Sequence, residues 1–185
     1  MDANLTFRSL AYNNAWANHR LLKACSRLSQ DEFTAPRTGF FGSIRATLNH
    51  NLIIDRFYVD AMEGGDLGPS AWSDREPCAT VPALHLEQRK VDERLITIVE
   101  TTKPAEPRRI VEIHREDRVQ REHLDRLLLH LFQHQIHHRG QAHSMMSGTS
   151  VAPPQLDEFF SGEEAQLREQ DFSELGWTEA QVWRQ

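Results

Sequence analysis

At 185 residues, the chain is long enough for one domain with a full hydrophobic core. Its 39% hydrophobic and 26% charged residues are typical of a soluble globular protein. No apolar stretch approaches the roughly 20 residues that span a bilayer, and we expect no secretion signal in the opening residues MDANLTFRSL. The net charge of −6 argues against nucleic acid as a partner, because phosphate contacts need clustered basic residues. Ten histidines are present, an unusually large share.

Apolar residues recur at steps of three and four from residue 5 to residue 28, which predicts a first helix. Ser29 and Glu32 have the spacing of a capping box for a short turn. A second helix is predicted from the N-cap Ser43 to Gly64. A polar loop over residues 64–77 follows it.

Thr80 and Pro82 predict the start of a third helix that runs to about Thr102. The β-branched residues around 110–117 predict a small hairpin or extended excursion. The longest helix is predicted over residues 119–146, ahead of a glycine and two prolines.

Two capping signatures, at Ser161 and Thr178, predict short helices in the tail. Four long helices with one loop-rich crossover predict an all-α protein, a four-helix bundle. The expected division is a bundle over residues 1–158 and a helical extension over residues 159–185, packed on the same domain.

Two histidines interrupt the apolar face of the longest helix. At 100° per residue, His134 and His138 lie in the middle of that face, one turn apart. Each imidazole needs partners for both ring nitrogens, and one divalent ion can bind a nitrogen of each. Two hydrogen-bonded core histidines are the alternative. The helix's remaining histidines fall near the edge of this face or outside it: His123, His130, His137 and His143.

A third imidazole comes from the second helix. His50 breaks an apolar stripe that includes Ile53 and Phe57, and an ordinary core histidine is the alternative for this residue alone. If the two helices are neighbours, three imidazoles point at one place in the core, where helical bundles build metal sites. The hypothesis is one divalent ion bound by His50, His134 and His138, with water or substrate completing its shell.

The first helix carries two asparagines on its apolar face, Asn14 and Asn18. A buried asparagine destabilises the fold unless its amide is paired. Three roles are open: orienting a ligand, binding a metal-bound water, or hydrogen bonding to a neighbouring helix.

Three separated motifs occur in one order along the chain: YNNAWANHRL at 12–21, SIRATLNHNLIID at 43–55 and HQIHHRGQ at 134–141. On the basis of these motifs, the chain resembles the DinB/YfiT-like family over about residues 5–158. The members of this family are small damage-inducible proteins, unrelated to the DNA polymerase that shares the name. The resemblance implies an up-down-down-up four-helix bundle, often a homodimer, that binds a divalent metal through three histidines.

Carried over residue by residue, the implied ligands are His50, His134 and His138. Zinc and nickel are the expected metals, with iron a further candidate. Asp55 matches an acidic position of the family but faces away from His50 in a helical projection, so a packing or capping role is expected. Residues 139–141 either position a ligand or, at Gly140, allow close helix packing.

Three imidazoles leave a coordination position open, which is the pattern of catalytic rather than structural zinc. Relatives in the family include thiol-dependent S-transferases and an isomerase with a thiol cofactor. The resemblance therefore implies a metal-dependent thiol transferase or hydrolase that acts on a small molecule, with a low-molecular-weight thiol as a candidate cofactor. The sequence shows no clear general base, so a non-catalytic metal-binding or stress-response bundle is the alternative. A polar cover from residues 64–77 would favour the enzyme, and an apolar seal the binding protein.

The second helix also predicts a homodimer. Leu48, Leu52 and Val59 lie opposite the His50 face, and a helix that is apolar nearly all round is buried on two sides. The alternative is that residues 64–77 or the tail cover this second face.

The two cysteines cannot form a disulfide framework, so a reduced, cytoplasmic setting is expected. Cys25 lies on the apolar stripe of the first helix and is expected to be inert. Cys78 stands beside Pro77 in a polar stretch and is a candidate for exposure.

Overall fold

Seven α-helices and a two-stranded sheet make up the part of the chain that the computed structural model describes, residues 3–103, 106 and 108–184. This part is mostly helical, which agrees with the predicted all-α class. None of its helices has the length and apolarity to span a membrane. The elements are α1 (Ala3–Cys25), α2 (Gln30–Thr34), α3 (Ile44–Glu63), α4 (Val81–Thr101), β1 (Ile110–His114), β2 (Val119–His123), α5 (Leu124–Met146), α6 (Glu169–Leu175) and α7 (Glu179–Trp183), with 3₁₀ helices at Gly68–Trp72, Glu158–Phe160 and Gly162–Leu167.

The predicted caps define the helix ends. Ser29 and Glu32 form the reciprocal capping box at the start of α2, and the side chains of Ser43 and Thr80 accept backbone N–H bonds at the starts of α3 and α4. Gly64 ends α3 in the left-handed region, at φ 86°. Each cap satisfies backbone groups that a helix terminus leaves without a partner.

Two predicted helix boundaries were wrong. The last long helix begins at Leu124 because residues 119–123 pair antiparallel with β1, from Ile110 opposite His123 to His114 opposite Val119. The first helix ends at Cys25 and not at residue 28. After Cys25 the hydrogen bonds change to those of turns, with the backbone N–H of Leu28 donating to the carbonyl of Cys25 at 3.0 Å, and Ser29 is extended as the cap of α2.

The four long helices share one hydrophobic core. Helices α1 and α3 each pack against both α4 and α5. Each helix contributes a fully buried side chain to the core, namely Trp16, Leu52, Leu84 and Leu131. Burial of a leucine side chain stabilises a fold by about 1.5–3 kcal/mol.

The second apolar face of α3 is covered within one chain. Leu48, Leu52 and Val59 are all buried, and α3 contacts α2, α4, α5 and β1. The prediction of a homodimer from an uncovered face therefore loses its basis.

A C-terminal strap, residues 155–184, packs on α1. Arg20 donates to Asp171 at 2.6 Å, and the indole N–H of Trp16 donates to the same carboxylate at 3.2 Å. Near the start of α1, Arg8 donates to the backbone oxygen of Gln181 at 2.6 Å. The strap is thus fixed to α1 by buried and half-buried polar contacts as well as by apolar packing.

Only one of the two capping signatures in the strap is a cap. The side chain of Thr178 accepts from the backbone N–H of Gln181 at 3.1 Å and starts α7. Ser161 makes no side-chain cap, and the following residues form a 3₁₀ helix. Instead, its carbonyl oxygen accepts from the guanidinium of Arg168 at 2.8 Å.

Candidate metal centre

Three histidines from two helices meet at one place. His50 lies on α3, and His134 and His138 lie on α5. Their ring centroids are 5.0 Å (His50–His134), 4.8 Å (His50–His138) and 4.5 Å (His134–His138) apart. One ring nitrogen from each lies within 4.8 Å of the others. Such a group could hold a metal ion.

Partial burial keeps these imidazoles neutral. The pKa of His50 is lowered to about 4 and that of His134 to about 3, mainly by burial and then by the neighbouring imidazoles, first among them His138. Burial also lowers the pKa of His138, against the opposing effect of its hydrogen bond with Gln141. Neutral imidazoles present the lone pairs that metal ligation requires.

The hydrogen bonding of the cluster is incomplete without a ligand. Nε2 of His50 and Nε2 of His134 are 3.0 Å apart, so only one of the two can donate to the other. Nδ1 of His134 is buried and has no partner among the described residues. A cation bound between the rings would accept both facing lone pairs, so the residues present fit a metal ion.

Gln141 orients the third imidazole. Nδ1 of His138 is 2.8 Å from Oε1 of Gln141, and the amide nitrogen of Gln141 is 3.2 Å from Nε2 of His137. Because an amide oxygen only accepts, the proton of His138 lies on Nδ1 and its Nε2 lone pair is free. A hydrogen bond of this kind to the non-ligating nitrogen is usual for metal-binding histidines.

An aromatic ring covers one side of the cluster. Phe41 stacks on His50 at 4.2 Å between centroids and approaches His138 at 5.2 Å. Gly42, at φ 75°, gives the 35–43 loop the left-handed turn that a residue with a side chain rarely adopts. Phe40 is 81% exposed beside it. Phe40 and Phe41 were not predicted as site residues, and their signal in the sequence is their place between two turn-forming glycines.

Residues 64–77, whose position relative to the histidines was to distinguish the two functions, make their contacts elsewhere. Trp72 packs on Phe57 at 4.6 Å, in the C-terminal half of α3, and Gly68 lies against His114 of the hairpin. The apolar ring of Phe41 covers one side of the three-histidine cluster. His130 lies next to His134, and His137 lies next to His138. The test based on the 64–77 loop therefore favours neither function.

Asn14 and Asn18 hydrogen-bond to neighbouring helices, one of the three roles left open. Both side-chain oxygens accept from the buried guanidinium of Arg139 at 2.8 Å. Their amide groups donate to Asp92 at 3.2 and 3.1 Å. The two asparagines thus bridge a cation on α5 and a carboxylate on α4.

Asp55 belongs to the same buried network. The amide nitrogen of Gln88 donates to Asp55 at 2.7 Å and to Asp92 at 3.2 Å. Its role is therefore one of packing in the core and not of capping. Burial raises the pKa of both carboxyls and lowers the pKa of Arg139 to about 10.

The residue that follows each candidate ligand is buried and polar. Asn51 follows His50, Gln135 follows His134, and Arg139 follows His138. Gln135 donates to the backbone oxygen of Asn51 at 3.3 Å, which joins α5 to α3. The imidazoles are therefore presented from two helices that a side-chain-to-backbone hydrogen bond joins next to them.

Cys78 is buried, so the suggestion of its exposure was wrong. Its backbone N–H and carbonyl pair with the Asn49 side chain at 2.8 and 2.9 Å, which holds the segment against α3. Burial raises the pKa of Cys78 and raises that of Cys25 to about 12. Neither thiol has the depressed pKa of a nucleophile.

Fold and site together define a mostly helical protein with a three-histidine cluster compatible with metal binding. The family model of the DinB family matches residues 1–171, and the chain belongs to this family. The match confirms the resemblance seen in the three motifs and reaches into the strap. A search of curated proteins finds no match to the chain.

Proposed function

We propose that His50, His134 and His138 bind one divalent metal ion in an up-down-down-up four-helix bundle. The observation that carries this proposal is the convergence of three ring nitrogens from α3 and α5 within 4.8 Å. The pairing of α1 and α3 with both α4 and α5 supports the bundle. Zinc or nickel is the proposed ion, with iron as a further candidate, because imidazole accepts all three.

We further propose a metal-dependent thiol transferase or hydrolase acting on a small molecule. A bound metal with an open position would supply Lewis-acid activation of a water, a carbonyl or a thiol. Phe41 forms an apolar wall at one side, while His130 and His137 are available for proton transfer at other sides. Because Cys25 and Cys78 are both buried, a thiol substrate would have to come from outside the chain.

A non-catalytic metal-binding or stress-response protein is the second candidate. One observation favours it: among the described residues, no carboxylate is paired with the three histidines, so the site lacks the usual acidic general base. A screen of the metal-loaded protein for thiol transfer, with glutathione, bacillithiol and mycothiol, distinguishes the two. Turnover that disappears with the metal supports the enzyme.

The metal assignment is tested by metal content per chain, measured on untagged protein dialysed against metal-free buffer. We expect His50→Ala, His134→Ala and His138→Ala to lose the tightly bound ion. His143→Ala is the matched control on α5, because its ring nitrogen is 2.8 Å from the carbonyl of Pro154. Retained metal in His134→Ala and His138→Ala, or its loss in His143→Ala, contradicts the assignment.

Assembly and compartment are also proposals. We propose a homodimer, as the family resemblance implies, and a cytoplasmic protein, which the two free cysteines support. A monomeric mass in light scattering at micromolar concentration would rule out the dimer. Fractionation of the native cells tests the compartment.

A further inference from the structure

A second histidine pair repeats the geometry of the first on the opposite pair of helices. Nδ1 of His19, on α1, is 3.0 Å from Nε2 of His85, on α4. Their ring centroids are 5.0 Å apart with 50° between the planes. The corresponding values for His50 and His134 are 3.0 Å, 5.0 Å and 49°. Neither His19 nor His85 was predicted as a site residue from the sequence.

A carboxylate fixes the protonation of His19. Glu174, in the strap, lies 2.8 Å from Nε2 of His19, and Lys23 donates to its other oxygen at 2.6 Å. A carboxylate paired with an ammonium ion accepts, so the proton of His19 lies on Nε2 and the Nδ1 lone pair faces His85. A carboxylate on the second nitrogen is the usual environment of a metal-binding histidine.

The space beside the two rings suits an ion and not a large ligand. The cavity has a volume of about 20 Å³ and is bordered by His19, His85, Gln88, Asp92 and Trp177. A volume of this size holds about one water molecule. Gln88 and Asp92 line it together with apolar side chains such as Leu22, Ile96 and Leu175.

The charged side chains next to His19 and His85 are already paired with other residues. Arg89 donates to Glu93 at 2.9 Å, and Lys23 is paired with Glu174. Asp171 also lies near His19, but its carboxylate accepts from Arg20 and Trp16. We therefore do not count Asp171 as a ligand.

We propose that His19 Nδ1 and His85 Nε2 bind a second divalent metal ion of the class that imidazole prefers, such as Zn²⁺ or Cu²⁺. In the metal-free protein, the Nε2–H of His85 donates to His19. On binding, that proton moves to Nδ1 of His85 through solvent, so both imidazoles stay neutral. With two protein ligands in place of three, this site binds more weakly than the first.

The test is a Zn²⁺ titration of metal-free, full-length protein followed by calorimetry. We expect His85→Gln and His19→Gln each to bind one equivalent fewer than the wild type. Glu174→Gln should weaken the weaker site by about 10-fold or more, because loss of an orienting partner typically has this effect. His123→Gln is the control, since its ring nitrogen is 2.7 Å from the backbone carbonyl of Arg108.

Equal stoichiometry in the wild type and in both folded variants, His19→Gln and His85→Gln, overturns the proposal. Far-UV circular dichroism checks the fold of each variant. The outcome for this second site can be separated from that for the His50, His134 and His138 site. The variant His134→Gln removes a ligand of the three-histidine site and leaves His19 and His85 intact. The loss of one equivalent in His85→Gln would support the second site even if His134→Gln bound as much Zn²⁺ as the wild type.

Discussion

Replacing Asp55 with asparagine should change how the stability of the protein depends on pH. Asp55 and Asp92 are both buried and are bridged by Gln88, and Arg139 is the cation that this network contains among the described residues. Oδ1 of Asp55 and Oε1 of Gln135 are both buried acceptors without a partner among the described residues. A proton on Asp55 supplies the missing donor.

Burial raises the pKa of Asp55 in the folded chain to about 7, whereas an unfolded aspartate has a pKa of about 3.9. A raised pKa means that this contribution to stability is complete below the unfolded value and is lost as pH rises through the folded value. One such proton changes the free energy of unfolding by about 1.4 kcal/mol per pH unit. Between pH 5 and pH 7, the wild type should lose about 2 kcal/mol relative to Asp55→Asn.

The assay is urea unfolding of metal-free protein at pH 5, 6, 7 and 8. Taking the difference between wild type and variant removes the contributions of histidines and other groups that do not interact with Asp55. Asp92, whose pKa the Asp55 charge helps to raise, contributes to the measured difference. Asp117→Asn is the matched control, because its side chain is 76% exposed in the hairpin turn and should follow the wild-type profile. Parallel profiles for the wild type and Asp55→Asn over this range would refute the reasoning.

The remaining predictions concern the core, the strap and the thiols. Trp16→Ala should lower the free energy of unfolding by about 3–5 kcal/mol, because Trp16 is fully buried and donates to Asp171; a loss under about 1 kcal/mol in urea unfolding would contradict this. Arg20→Ala should speed tryptic cleavage within the strap several-fold by removing contacts that hold it on α1, and an unchanged rate on gels would argue against that role. Cys25 and Cys78 should react with a thiol reagent only after denaturation, since both are buried; fast labelling of folded protein would show otherwise.

The sequence predicted best what depends on neighbouring residues. Caps such as Ser43 and Thr80 act within one helical turn, so their residue types locate the helix starts. The positions of His134 and His138 on one face likewise follow from helical periodicity. The structure brings His50 to the same place, while metal ligation by the three stays a prediction.

Burial and helix boundaries that depend on contacts between distant segments could not be predicted from the local sequence. Gln88 and Asp92 look like solvent-facing positions in α4, and only the approach of α1 and α3 buries them. Cys78 stands in a polar stretch, but its backbone is paired with Asn49 on another helix. The start of α5 was misplaced for the same reason, because β1 pairs with residues that could otherwise begin a helix.

The strap also sets the order in which α1 can complete its contacts during synthesis. Trp16 and its partner Asp171 are 155 positions apart, so at translation rates of about 5–20 residues per second the helix waits about 8–30 s for that partner. During this interval, the aromatic and basic face that the strap covers is open to other molecules. Nascent chains stalled before residue 155 should therefore bind a chaperone that recognises exposed aromatic residues, and chains released with the strap should not.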